Sequence, residues 1–155
     1  MDKKAAKISI EQMHKNLLVL WLAMFSAQFM FLLVIYFVEP KLFEFDLSKP
    51  LLDQNSLIII IFAVFAVINI AASFILRKKF LNEAVEKQNI FLVQTALVVG
   101  CALCEAVTLF GFMLAFVAEY QYFFLWMILG ALGMLFHFPL KKHLINANFQ
   151  KPEYK

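Results

Sequence analysis

Residues 57–76 read LIIIIFAVFAVINIAASFIL, a run of 20 residues with no Asp, Glu, Lys or Arg. About 20 apolar residues carry a helix across the hydrocarbon core of a bilayer. In lipid no water satisfies the backbone N–H and C=O groups, so only helices and closed barrels cross. The run is continuous rather than alternating with period two, which selects a helix.

Three more such runs lie at about 16–38, 91–117 and 122–140. Together they predict an all-α integral membrane protein, a four-transmembrane-helix bundle that forms a single membrane domain over residues 1–155. Composition agrees: the chain is 63% hydrophobic with a mean hydropathy of +0.80. Soluble domains are nearer half apolar, and a fold this small could not hide the excess from water. The basic start, MDKKAAKISIEQMHKN, resembles the head of a signal peptide, but the apolar stretch after it is too long and lacks a small-residue cleavage site. It is expected to stay as the first span.

Basic residues orient the spans. Lys3, Lys4, Lys7 and Lys15 precede the first, and Arg77, Lys78, Lys79 and Lys87 lie in the basic loop 77–90. Lys141, Lys142, Lys151 and Lys155 lie in the tail 141–155. The outer loop 39–56 holds only Lys41 and Lys49, so twelve of the fourteen basic residues share one side. That side is expected to be the cytoplasm, with both termini in it, and the expected location is the bacterial cytoplasmic membrane. The basic clusters read as topology signals, not as nucleic-acid sites. In the outer loop Pro40 and Pro50 oppose a long helix, and Phe43, Phe45 and Leu47 alternate with Glu44 and Asp46 as in a short strand or an interfacial segment. Tyr36, Tyr120, Tyr122, Phe123, Phe124 and Trp126 are expected as interfacial anchors. Within 77–90, Phe80, Leu81, Ala84 and Val85 share one helical face, so the second and third helices can continue past the membrane as a hairpin.

All four glycines, Gly100, Gly111, Gly130 and Gly133, fall in the last two runs. Helices in lipid associate by close packing, and small residues mark the contact faces. Ala96, Gly100, Cys104, Thr108, Gly111 and Ala115 recur at steps of three or four and form a small ridge on the third helix. The third helix is therefore expected to be the packing centre. Cys101 and Cys104, three apart on an apolar helix, read as packing residues rather than metal ligands.

Glu105 is the only Asp, Glu, Lys or Arg inside any of the four runs. It lies about 20 Å from the inner end of its helix, slightly past the midplane. An ionised carboxylate there costs several kcal/mol unless it is paired or wet, so such groups face protein or water and carry protons or ions. Gln28 is at a similar depth, and Thr108 is one turn along the same helix. Gln28, Thr108 and Asn69 are the expected polar supports, with Ser26 and Ser73 as further candidates. His137 is expected about one turn from the inner surface, level with Gln94.

The stretch IFLVQTALVVGCALCEAVTLFGFMLAFV, residues 90–117, resembles the carboxylate-bearing helix of rotary ATPase proteolipids, the ring subunits of ATP synthases. The matching positions are Ala102, Leu103, Glu105, Ala106, Gly111, Ala115 and Phe116. The likeness extends loosely over residues 57–117, and it implies that Glu105 is a proton-binding group. Ala106 stands where sodium-binding members carry Ser or Thr, which favours a proton. The family's glycine-repeat helix is absent here, and the carboxylate is on the third helix rather than the last.

No nucleotide-binding loop, nucleophile triad or zinc motif occurs, so neither an enzyme activity nor a cofactor nor a metal is expected. The expectation is a proteolipid-like proton-handling subunit, in a homo-oligomer or a larger membrane complex. The alternatives are a non-catalytic scaffold or accessory subunit, in which Glu105 pins the bundle by a hydrogen bond, and a small proton-coupled exporter.

Overall fold

The computed structural model describes residues 3–44, 46, 48, 50–52 and 56–148, with side chains from residue 10 onward. The side chains of Lys3, Lys4 and Lys7 lie outside this set, as do Phe45, Leu47, Lys49, Lys151 and Lys155. The described residues form helices α1 (Lys3–Val38), α2 (Ser56–Glu86), α3 (Ile90–Val117), α4 (Phe123–Phe136) and α5 (Lys141–Ala147), with a 3-10 turn at Pro40–Phe43. No strand occurs among them. Three helices are long and apolar enough to cross a membrane, and a fourth crossing exists if α4 and α5 count as one bent span. The described residues thus have an all-helical architecture, with apolar helices of the kind found in integral membrane proteins.

The sequence-based boundaries need two corrections, at the first and fourth helices. The first helix begins at Lys3, well before residue 16. The segment 77–90 forms the expected hairpin more than a basic loop: α2 runs to Glu86, and only residues 87–89 connect it to α3. The face that predicts this continuation is partly inward: Ala84 is buried and Leu81 packs on the core, but Val85 is exposed. The fourth helix does not reach residue 140. It stops at Phe136, because Pro139 lacks an N–H and disfavours helical backbone at Phe138. The chain then turns by 49° into α5, within the segment expected as a plain tail. With 14 residues, α4 alone spans about 21 Å, short of the roughly 30 Å hydrocarbon core.

The outer aromatic residues also depart from expectation. Phe123 is fully buried and Tyr122 nearly so. Phe123 meets Phe43 edge-on at 5.6 Å, in a cluster with Ile35 of α1 and Leu42 of the 3-10 turn. That contact seats the turn on the helices. Tyr36 remains exposed, and Tyr120 donates its hydroxyl to the Leu51 carbonyl at 3.2 Å.

The most buried of the three long helices is α3, which packs on α2, α4 and α1. Ala96, Gly100, Cys104, Thr108, Gly111 and Ala115 are all buried along it. The glycines of α4 face this ridge. A Cβ at Gly130 would lie 2.2 Å from the Thr108 hydroxyl and 2.7 Å from the Cys104 carbonyl. One at Gly133 would lie 2.8 Å from Cys104 Sγ, and one at Gly111 would lie 2.7 Å from the Phe123 carbonyl. These are backbone-to-backbone approaches of the kind that lipid-embedded helices need, since lipid gives no hydrophobic drive for association.

Candidate functional site

Glu105 sits where the packed and open faces of α3 meet. With 3.6 residues per turn, its neighbours on one side are Cys101 and Thr108, both buried, and on the other Ala102 and Leu109, both exposed. Its own side chain is half-buried. Phe112 lies two turns along almost the same line and packs on Phe31 of α1 at 5.5 Å between ring centroids. Phe110, on the other flank of α3, stacks on Phe62 of α2 at 5.2 Å. Glu105 therefore borders the α1 side of α3, away from α2.

That rotation decides its partners. Among the described residues, no hydrogen bond or ion pair reaches the Glu105 carboxyl. The expected supports are directed elsewhere, which corrects their assignment as partners of this group. Gln28 is buried and donates its amide to Met134 Sδ at 3.8 Å, while its carbonyl oxygen has no partner. Thr108 points into the α4 seam against Gly130, with its hydroxyl unpartnered. Asn69 donates to the Phe65 carbonyl of its own helix at 2.8 Å. Ser73 likewise donates to Ile70, at 2.7 Å, and Ser26 is exposed. The sequence places these polar groups at plausible depths, but depth alone does not fix the rotation of each helix.

The two cysteines are free and fully buried, and Cys104 Sγ donates to Ser73 Oγ at 3.7 Å. No cluster of three or more His, Cys, Asp or Glu able to hold a metal occurs among the described residues. His137 departs from its expected place. Its ring is fully buried against Gly100, where a Cβ would come within 2.2 Å of the ring, and it meets Phe74 edge-on at 4.8 Å. Gly100 is about 9 Å further along α3 than Gln94. The early end of α4 accounts for the shift: the break turns the His137 ring in under α3 instead of leaving it at the surface. Neither ring nitrogen has a hydrogen-bond partner.

Arg77 is the residue that sequence reasoning passed over as a topology signal. Its guanidinium donates to the carbonyls of Phe136 at 2.8 Å and Phe138 at 3.1 Å. Helix ends leave carbonyls without intrahelical partners, and a cation near a C-terminus satisfies them. Arg77 thus closes the end of α4 from α2. The available signal was an Arg at the end of one apolar run and a His-Phe-Pro break near the end of another. Nearby, Trp21 of α1 donates to the Met134 carbonyl at 3.0 Å. No protein-family model, curated protein or solved structure matches the chain.

Proposed function

We propose that the chain is a small multi-pass membrane subunit whose Glu105 takes up and releases a proton at an interface with another helix, in the manner of a proteolipid. The observation that carries this reading is the half-buried carboxyl with no partner among the described residues, on the border of the packed face of α3. A carboxyl at that depth needs a partner or water, and the described residues supply no partner. A second copy or a larger membrane complex supplies it. Both termini and the basic end of the helices face the cytoplasm in this reading, by the asymmetry of Lys and Arg. The resemblance of residues 90–117 to the proteolipid carboxylate helix points the same way.

The test is proton flux in vesicles reconstituted with the protein, beside Glu105→Gln. Flux in the first and none in the second supports the reading; equal flux in both, or none in either, overturns it. The same lone carboxyl also suits an accessory subunit that meets a cation or a hydrogen-bond donor of a larger partner. Stoichiometric copurification that Glu105→Gln abolishes, without proton flux, favours that second reading. A hydrogen-bonding pin within the bundle is disfavoured, because Gln28 and Thr108 are turned toward α4.

A further inference from the structure

A groove of about 620 Å³ opens at the basic end, between the last turns of α2 and the break that separates α4 from α5. Phe74 and Phe136 line it within the apolar runs, and Arg77, Lys78, Asn82 and His143 line it where those runs end. Along α2 the lining runs from Phe74 through Arg77 and Lys78 to Asn82 over about 12 Å, with Leu81 and Val85 on the same wall, so an apolar surface at the Phe74 end meets cationic side chains near the level at which a bilayer changes from acyl chain to headgroup. Among the described residues, no carboxylate lines the groove. Of the nearby acids, Glu83 pairs with Lys87 and Glu11 with Lys141 at 3.6 Å, while Glu86 lies a turn beyond Asn82 and outside the groove lining. Arg77 and Lys78 have no ion-pair partner among the described residues. Arg77 spends two N–H groups on carbonyls, and a guanidinium has five.

Topology signals need charge but no concavity, and a site for free phosphate needs no apolar wall. We propose that this groove holds one anionic phospholipid. Its phosphate lies on Arg77, Lys78 and His143, and an acyl chain runs along Phe74 and Phe136. The site rests on the membrane reading of the chain and is independent of Glu105. Its chemistry follows from charge complementarity at the headgroup and apolar contact below it, and bound lipid would brace the α4–α5 break that Arg77 already closes.

The experiment is native mass spectrometry of the full chain, released from micelles holding equimolar phosphatidylglycerol and phosphatidylcholine. The wild-type protein is expected to retain one phosphatidylglycerol in preference to phosphatidylcholine. The double variant Lys78→Gln, His143→Gln is expected to lose that preference by about fivefold or more, on the scale of one basic residue near an anionic lipid surface. Lys15→Gln, an exposed cation outside the groove, is expected to keep it. Equal retention of the two lipids overturns the proposal. So does an equal loss in Lys15→Gln, which would mean diffuse surface charge. Stripping of phosphatidylglycerol by millimolar inorganic phosphate also overturns it, in favour of a free-anion site. Arg77 is left unchanged because its loss would disturb the helix end itself.

Discussion

Gly100 and His137 make one contact that a single methyl group would destroy. Alanine at Gly100 places its Cβ 2.2 Å from the imidazole ring, and overpacking of this kind costs about 1–3 kcal/mol. Gly100→Ala is therefore expected to lower the thermal midpoint in detergent, and His137→Ala in the same chain is expected to recover part of the loss, because contacting residues couple. Strictly additive effects would show that the two do not share a contact. Glu105 behaves oppositely. With no partner for its carboxyl among the described residues, Glu105→Gln is expected to leave the stability of the isolated protein within about 0.5 kcal/mol. A loss of several kcal/mol would mean that the carboxyl is tied into the fold after all. Glu105 itself was legible in the sequence, because one carboxylate in four apolar runs stands out. Its surroundings were not: Gln28, Thr108 and Asn69 share its general depth, but which way each turns depends on helix rotation, and their own runs show no polar periodicity that would set it.

Helices were legible as apolar runs, and their ends were legible only where local chemistry marks them. Pro139 is such a mark, yet the apolar residues around it carried the expected helix straight across. The connection between α2 and α3 had no glycine to announce it. Instead Gln88 takes the left-handed conformation, with φ 48°, and Asn89 caps α3 by accepting from the Phe91 N–H at 3.0 Å. Left-handed backbone costs an L-residue with a Cβ about 1 kcal/mol or more, so of two variants that both remove this side chain, Gln88→Gly is expected to be more stable than Gln88→Ala by about 0.5–1 kcal/mol. A lower denaturation midpoint for Gln88→Gly than for Gln88→Ala would count against this turn. Arg77 joins two elements. Hydrogen bonds to a charged group contribute about 1.5–3 kcal/mol when buried, and less at this partly exposed position. Arg77→Gln is expected to speed amide exchange in α5 while leaving α3 protected. Uniform acceleration through α3 would show that the break depends on something other than this cap.

Across the whole molecule, the sequence placed one carboxylate near the middle of α3 and nearly all basic residues beside one end of the spans, while the structure supplies the packing that leaves the carboxyl at the edge of the packed face. The orientation expected from charge is open to direct test. Cys101 and Cys104 are fully buried, so the native chain is expected to be silent to membrane-impermeant maleimide. Lys15→Cys and Asn148→Cys are expected to react from the cytoplasmic face and Leu51→Cys from the other, all three positions being exposed. Reaction of all three from one face would reject the membrane-spanning arrangement. The central claim is that Glu105 presents a proton-bearing carboxyl to its surroundings. Its most direct test is carbodiimide labelling of the protein in lipid across pH, mapped by mass spectrometry, since the reagent attacks protonated carboxyls in apolar settings. The expected result is pH-dependent labelling that maps to Glu105 and is lost in Glu105→Gln. No labelling of Glu105 at any pH would contradict the claim and leave the group sealed inside the protein.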